Sequence, residues 1–405
     1  MARSFYVADV TLFDGARVRR RAGVLVEGDR IAWVGPHARA PRDALAARAI
    51  DGAGKTLTPG LIDCHVHLNF DGGADFAAEA AESNEISAAL RGVRNLGKHL
   101  AAGVTTVRDL GGAGTCELAA AVEAGEIEGP RVIAAGRALT ITGGHGHNIG
   151  IARELDGPVD ARKAVREQIK AGARAIKVIA TGGVLTPGID ATFTAMTPEE
   201  IGAAVDEAHK WRVGVGAHAI GAPGITGAVR AGVDSVEHCV QLDTATAKEM
   251  AARGTFRGPT LSALIGIVDG AGVPAYAKDK ASALVDDAHR GQRAAMRAGV
   301  AHVCSTDAGT PFNPHGNAPN EVARMVEWGL RPLDALVAAT AHGAALLRVP
   351  DVGTVAAGFL ADLVLYDGDP LEDIAALRSP RTVWKGGVRV SGPASPVRSA
   401  QPRGR

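Results

Sequence analysis

The segment Leu61-Ile62-Asp63-Cys64-His65-Val66-His67 runs from apolar residues into two histidines. Such a run is typical of a buried strand, in which alternate side chains point to the same face. Asp63, His65 and His67 should therefore share one face, and the two imidazoles should converge. Neutral imidazole is a common ligand of zinc-like metals, so the pair offers two ligands on one rigid element. A hydrogen-bonded or exposed histidine pair is the alternative.

Outward from this segment, short apolar strands alternate with alanine-rich helical stretches. This order is typical of a parallel sheet built from βα units. Eight strands are predicted, at residues 56–67, 104–110, 131–135, 175–180, 213–218, 233–238, 255–260 and 300–306. Eight units over about 290 residues match the size of a (β/α)8 TIM barrel, an α/β fold. An open doubly wound sheet is the alternative, weakened because no GxGxxG loop follows the first strand.

The two chain ends carry a different pattern. Short β-type runs broken by turn residues occupy residues 5–35, and similar runs recur at 361–366 and 382–384. Two such fragments can form one small β domain. We expect this domain to comprise residues 1–57 and 349–400 and the barrel to comprise residues 58–348. The last residues, 401–405, are predicted to be a frayed tail.

Composition limits the partners of the chain. Its 405 residues carry 44 Lys+Arg against 44 Asp+Glu. Nucleic acids and anionic membranes are recognised by a positive field, so neither is expected as a partner, and a small-molecule substrate is. Four scattered cysteines in apolar runs indicate buried thiols in a reducing compartment. With no signal core or long apolar stretch, we expect a cytoplasmic protein. We also expect a homo-oligomer.

Further polar side chains stand where predicted strands end. His218 ends the fifth strand, His238 ends the sixth, and Asp307 follows the eighth. Barrel active sites assemble at this end of the strands, so these residues and the first histidine pair predict a shared metal site. Lys177 interrupts an apolar strand. Its stem could snorkel to the barrel end, or its desolvated amine could take up carbon dioxide as a carbamate.

In this order the residues resemble the amidohydrolase superfamily, within the branch related to imidazolonepropionase and the metal-dependent Xaa-Pro dipeptidases. The resemblance covers nearly the whole chain. It is carried by the motifs at residues 58–67, 103–109, 142–146, 176–178, 235–238 and 358–364. It implies a metal-binding TIM barrel and a β-sandwich domain formed from both chain ends.

The resemblance also implies a binuclear centre. Its two divalent metal ions, expected to be zinc, would be held by His65, His67, Lys177, His218, His238 and Asp307. Lys177, carboxylated by carbon dioxide, would bridge the ions, and His218 with His238 would hold one of them. Asp307 would also move a proton during metal-assisted hydrolysis.

Neighbouring residues supply candidate substrate contacts. His145 lies in the long loop 140–160 and is predicted to hydrogen-bond the scissile carbonyl oxygen, with a structural role in a glycine-rich turn as the alternative. His147 either touches substrate or caps this loop. His315 follows the eighth strand and is a further pocket candidate. Asp63 is expected to orient an imidazole of the metal centre.

Ile220 bears on the substrate. It occupies a position where peptide-cleaving relatives carry a polar or aromatic residue, and an apolar side chain cannot hold an α-carboxylate. The predicted function is hydrolysis of an amide C–N bond in a small molecule such as a dipeptide or N-acyl amino acid. The same chemistry on a neutral amide, carbamate, phenylurea or ochratoxin-like mycotoxin is the alternative.

Two other functions are less expected. Deaminases of the superfamily resemble one another in a Glu shortly after the histidine of the fifth strand, where this chain has Ile220 and Gly221. A non-catalytic barrel scaffold would have lost ligands, whereas every ligand position is filled here.

Overall fold

The computed structural model describes residues 4–391, in which strands and helices alternate along most of the chain. The strands are β1 Ser4–Phe13, β2 Val18–Glu27, β3 Arg30–Pro36, β4 Arg48–Asp51, β5 Thr56–Pro59, β6 Leu61–Val66, β7 Val104–Asp109, β8 Arg131–Ala134, β9 Ala138–Ile141, β10 Ala152–Leu155, β11 Ala175–Ile179, β12 Gly214–Ala219, β13 Ser235–His238, β14 Phe256–Gly258, β15 Leu363–Tyr366, β16 Pro380–Lys385 and β17 Val388–Ser391. The α-helices are α1 Arg42–Ala46, α2 Phe76–Ala81, α3 Glu85–Ala101, α4 Thr115–Glu123, α5 Gly157–Lys170, α6 Pro198–Lys210, α7 Ala222–Ala231, α8 Thr244–Arg253, α9 Leu261–Asp269, α10 Ala275–Ala298, α11 Ala318–Glu327, α12 Pro332–Ala338 and α13 Ala341–Leu347. The predicted frayed tail, 401–405, lies outside the described residues.

Strands from the two chain ends join in one sheet. Its order is β17-β16-β15-β5-β1-β2-β3, with β4 beside β1. The junction is β5, which pairs antiparallel with β15 and parallel with β1. Apolar side chains from both ends, including Phe5 and Trp384, form the core beneath this sheet.

The other strands are parallel and lie in two sheets. One has the order β10-β9-β11-β12-β13-β14 and the other β6-β7-β8. β6 and β7 are buried along their whole length, as parallel strands covered on both faces are. Helices such as α5, α6 and α7 connect consecutive strands. The predicted α/β class with parallel strands is therefore confirmed.

The first predicted strand, 56–67, is in fact two strands. It divides at Gly60 into β5, which belongs to the terminal sheet, and β6, which begins the parallel sheet. Gly60 donates its N–H to the carbonyl of Asp362, and Leu61 donates to that of Gly103. These two adjacent residues therefore bond to chain segments next to different sheets. The apolar run in the sequence continues across this point and conceals the change.

The eighth predicted strand, 300–306, makes only isolated bridges, but its backbone is hydrogen-bonded on both sides. Cys64 donates to the carbonyl of Cys304 at 2.8 Å, and Val303 donates to that of Arg257 at 2.9 Å. The segment therefore lies between β6 of one parallel sheet and β14 of the other. The segment leads into Asp307, which therefore lies at the edge of the sheet where β6 also ends.

Three further features bear on expectations from the sequence. All four cysteines are buried and free, as predicted. Among residues 4–391, every helix is too short or too polar to cross a bilayer. The long loop 140–160 contains the 3-10 helix His147–Ile149 and the short strand β10.

The junction at Gly60 yields a stability prediction. A Cβ at this position would overlap the buried side chain of Thr105. We expect Gly60→Ala to lower the free energy of unfolding by about 1–3 kcal/mol, because the core there has no room to expand. The measurement is urea denaturation followed by circular dichroism.

Gly97→Ala is the matched control. Gly97 is exposed in the interior of α3, and a Cβ there meets open space. It should raise the free energy of unfolding by about 0.5–1 kcal/mol, since alanine favours the helix. Equal effects of the two substitutions would contradict the close approach at Gly60.

Candidate metal centre

The side chains predicted as ligands meet at the ends of the parallel strands. His65, His67 and Asp307 offer ligand atoms that all lie within 4.8 Å of one another. Oδ1 of Asp307 is 3.2 Å from Nε2 of both histidines. Nζ of Lys177 is 3.2 Å from Nε2 of His65. These four side chains are buried, so their polar atoms face one another rather than solvent.

The remaining two predicted ligands complete the group. His218 is the penultimate residue of β12, and His238 ends the neighbouring strand β13. Their ring centroids are 4.5 Å apart, and the ring of His238 is 5.5 Å from that of His65. All six predicted ligands are therefore neighbours, although they come from separate parts of the chain.

Hydrogen bonds to backbone carbonyls fix which ring nitrogen two of the histidines can offer. Nδ1 of His67 is 2.9 Å from the carbonyl oxygen of Gly111, and Nε2 of His218 is 2.7 Å from that of Gly182. A carbonyl oxygen only accepts, so the ring nitrogen carries the proton in both contacts. The opposite nitrogen, Nε2 of His67 and Nδ1 of His218, is left unprotonated and able to bind a metal.

The other two histidines are held by side chains. Nδ1 of His238 is 2.7 Å from Oγ1 of Thr260. Nδ1 of His65 is 3.3 Å from Oε2 of Glu237, off the direction of a good hydrogen bond. In both rings Nε2 is the opposite nitrogen, and it is free to bind a metal when the proton is on Nδ1. In each of the four imidazoles, the nitrogen opposite the proposed metal-binding nitrogen thus faces one protein oxygen.

The backbone at the centre adopts an uncommon conformation. His238, Thr260 and Asp307 have φ of 64°, 48° and 60°, in the left-handed region that non-glycine residues rarely enter. Such residues cost about 1–3 kcal/mol each and cluster at functional sites. Here they turn the chain at the strand ends, where His238 and Asp307 enter the centre and Thr260 supports the ring of His238.

Burial sets the charge of the group. It lowers the pKa of Lys177 to about 8, so part of the amine is neutral near pH 7. It also holds the pKa values of His65, His218 and His238 well below the ordinary value. Burial raises the pKa of Asp307, but the neighbouring imidazoles and Lys177 outweigh it and keep the carboxyl ionised. Burial alone would lower the pKa of His67, but its hydrogen bond to Asp307 outweighs burial and raises that pKa. Imidazoles with one carboxylate are a donor set that fits zinc-like metals.

His145 stands beside this group, with its ring centroid 4.7 Å from that of His218. Its Nδ1 is 2.7 Å from Oγ1 of Thr186, whose oxygen already accepts the N–H of Gly146. The hydroxyl can donate its proton to Nδ1, and in that arrangement the ring proton is on Nε2. The ring lies against Gly183, where any Cβ would overlap it. Burial lowers the pKa of His145 to about 3, so the ring is a neutral donor.

A cavity of about 870 Å³, partly open to solvent, adjoins the centre. Its polar floor includes the six predicted ligands and His145. Its wall is mostly apolar, formed by Phe76, Leu110, Ile149, Ile151, Ile179, Val184, Leu185, Ile220, Val240, Leu264, Ile267 and Leu284. Ile220 thus lies where a substrate contact was expected.

Two predicted substrate contacts lie elsewhere. His147 is exposed and its Nδ1 donates to the carbonyl of Gly144, which fits the loop-capping alternative. His315 is buried away from the cavity, where its Nε2 donates to the carbonyl of Phe70 and its Nδ1 faces Nε2 of His99. The loop after residue 306 folds back onto α3, so sequence proximity to Asp307 does not bring His315 into the pocket.

Asp63 has a different role from the one expected. Its carboxylate accepts the backbone N–H of His65 and both the N–H and the hydroxyl of Thr306. It therefore aligns two backbone segments rather than an imidazole. Sequence reasoning missed Thr260, Glu237 and Arg108. A charged residue inside an apolar strand was the available signal for the last two.

The chain is similar along most of its length to known enzymes. Residues 56–390 match the Amidohydrolase family. Ochratoxinase from Aspergillus niger is 33% identical over an alignment of 407 residues, which covers 92% of this chain and 84% of the relative. The crystal structure of A. niger ochratoxinase superposes with a TM-score of 0.87 at 31% identity, covering 97% of each chain.

Two other relatives carry different names. Imidazolonepropionase from Salinispora arenicola is 30% identical, with 86% of each chain covered. The crystal structure of a Xaa-Pro dipeptidase with methionine bound in its active site superposes with a TM-score of 0.87 at 30% identity, covering 95% of this chain and 99% of that one. The parallel strands therefore have the TIM-barrel type of arrangement, and the chain belongs to the amidohydrolase family, as a hydrolase acting on carbon–nitrogen bonds.

Proposed function

We propose that this protein is a binuclear metal-dependent amidohydrolase that cleaves an amide C–N bond in a small, largely apolar molecule. One observation carries the proposal. Four imidazoles, a buried lysine and a buried carboxylate meet at the floor of an apolar cavity, and three of the imidazoles have one ring nitrogen hydrogen-bonded to a protein oxygen.

In this proposal two divalent ions, with zinc as the expected metal, are held by the six ligands predicted from the sequence. When bound, such ions lower the pKa of water and polarise a carbonyl group. Lys177 supplies the bridge. Its neutral amine adds carbon dioxide, loses a proton and becomes an anionic carbamate. The lowered pKa of Lys177 and its 3.2 Å contact with His65 support this assignment.

Two residues would carry the remaining chemistry. Asp307 is ionised and borders the cavity, so its carboxylate can take a proton from the attacking water and return it to the leaving nitrogen. His145 is neutral with its proton on Nε2, so it can donate to the carbonyl oxygen as negative charge develops there. The contact of His145 with Thr186 keeps that proton on the cavity side of the ring.

The cavity favours substrates without exposed charge. None of its lining side chains, within residues 4–391, is an arginine, and its lysine, Lys177, faces the histidines. A charged substrate group would therefore be left unpaired against apolar side chains such as Ile220 and Leu264. We infer a neutral amide, carbamate or phenylurea, or else an N-acyl amino acid or ochratoxin-like mycotoxin whose single carboxylate remains at the side of the cavity that is open to solvent. The similarity to ochratoxinase agrees with this class.

The proposal extends to the setting of the site. We place the centre in a closed (β/α)8 barrel beside a β-sandwich, with the domain boundaries expected from the sequence. Hydrogen bonds from residues 303 and 307 to β14 and β6 support closure on one side. The four free, buried cysteines support a reducing compartment such as the cytoplasm.

The metal bridge is tested first. Purified protein should contain about two zinc-like ions per chain, and Lys177→Ala should lower kcat/KM more than about 100-fold, beyond the 10–100-fold typical of contacts behind a metal ligand. Bicarbonate with a short carboxylic acid should restore part of the activity. Lys248→Ala, at an exposed position, is the control. Wild-type activity in Lys177→Ala would reject the bridge.

His145 is tested through kcat. His145→Asn should lower kcat about 10²–10³-fold with little change in KM, because the donor acts on charge that develops in the transition state. His147→Asn, two residues away and exposed, should change kcat less than about twofold. Steady-state kinetics on one substrate distinguish the two variants, and equal effects would argue against the assigned role.

Substrate class is tested by a panel of N-acyl amino acids, carbamates, phenylureas and dipeptides. For the best apolar substrate, kcat/KM should exceed that for dipeptides with charged side chains by at least about tenfold, equivalent to ~1.4 kcal/mol. Metal-stripped protein serves as the control for contaminating hydrolases. Hydrolysis confined to charged dipeptides would refute the role given to the apolar wall.

A further inference from the structure

Glu237 is a buried carboxylate that the proposed reaction does not use. It lies in β13, one residue before His238, and its side chain has no exposed surface. Oε1 accepts hydrogen bonds at 2.6 Å from Nη2 of Arg108 and from the hydroxyl of Ser235. A fully buried charge of this kind is retained only where its contacts compensate for desolvation.

The second oxygen of this carboxylate has one neighbour of the right chemistry. Oε2 of Glu237 and Nδ1 of His65 are 3.3 Å apart, and neither has a hydrogen-bond partner elsewhere in the described chain. A buried polar atom left without a partner is costly. A hydrogen bond between these two atoms would satisfy both.

The other side of the His65 ring faces the proposed ligands. Its Nε2 is 3.2 Å from both Nζ of Lys177 and Oδ1 of Asp307. For Nε2 to be free as a ligand, the ring proton must reside on Nδ1, which is the nitrogen facing Glu237. Among the four histidines of the centre, this is the ring backed by a carboxylate rather than by a carbonyl or hydroxyl oxygen.

Arg108 fixes the position and the charge of Glu237. Its Nη2 pairs with the carboxylate, and its Nε donates to the carbonyl of Cys64 at 2.6 Å, one residue before His65. The same guanidinium therefore holds both the carboxylate and the strand that carries the ring. Gly258 completes the fit, because a Cβ there would overlap Oε2 of Glu237.

We propose that Glu237 is a positioning residue, clamped by Arg108, that holds the proton of His65 on Nδ1 and so presents Nε2 as a strong metal ligand. The inference rests on the metal centre of the proposed function. A carboxylate is a stronger acceptor than a carbonyl. Glu237 should therefore strengthen the binding of the metal ion that His65 holds more than the binding of the ion held by His218 and His238.

The test is Glu237→Gln, which preserves shape and removes the charge. Metal-stripped protein is titrated with zinc against a chromophoric chelator, and one of two binding events should weaken about 10–100-fold while the other stays within about threefold. Glu207→Gln is the matched control. Glu207 is also a buried glutamate paired with an arginine, Arg166, but it lies between the outer helices α5 and α6.

A second readout does not require metal. Long-range 1H–15N correlation spectra of metal-stripped protein should show His65 as the Nδ1–H tautomer in the wild type and in Glu207→Gln. In Glu237→Gln the Nε2–H form of His65 should increase. A merely structural role for the carboxylate would leave this tautomer balance unchanged.

The unpaired guanidinium of Arg108 could prevent folding of Glu237→Gln. Arg108→Met/Glu237→Gln removes that charge as well, and the same selective loss of zinc affinity is expected. Unchanged affinity and tautomer in the folded variant would overturn the inference while leaving the metal centre intact. Failure of the wild type to bind about two zinc ions would instead overturn the proposed function on which the inference rests.

Discussion

The structure depends on how the protons of its buried imidazoles are held. A histidine removed from water offers one nitrogen to a ligand only if the other carries the proton and finds an acceptor. The carbonyls of Gly111 and Gly182 and the hydroxyl of Thr260 meet this requirement for three rings. The strand ends, the glycine-rich turns after them and the buried Glu237 are arranged around this constraint.

The same constraint explains where the backbone is unusual. His238, Thr260 and Asp307 occupy left-handed conformations that cost about 1–3 kcal/mol each. An ordinary strand end would carry these side chains past the centre. The cost is sustained because buried parallel strands on either side, such as β6, prevent the chain from relaxing. Rigid strands therefore position the proposed ligands, and the strained turns orient their side chains.

Sequence periodicity was sufficient to predict that the proposed ligands meet, and it was insufficient for the residues that support them. Strand alternation put His65 and His67 on one face, and the ends of neighbouring strands brought in His218 and His238. The partner of the His65 ring lies 172 residues along the chain, at Glu237, and no local pattern connects the two. The division into two strands at Gly60 could not be predicted either, because the strands before and after it are both buried along their whole length. The position of His315 could not be predicted from its place after the eighth strand. A loop reversal, which depends on packing against α3, decides where His315 lies.

Chemistry and substrate choice come from different parts of the fold. The proposed ligands lie at strand ends, whereas Leu264 and Ile267 of α9 and Leu284 of α10 form part of the cavity wall. Helix residues can change without disturbing the hydrogen bonds behind the imidazoles, so one centre can serve many substrates. Relatives as differently named as ochratoxinase and a Xaa-Pro dipeptidase superpose on this chain equally well, with TM-scores of 0.87. The wall, rather than the metal ligands, is therefore where the substrate of this enzyme must be sought.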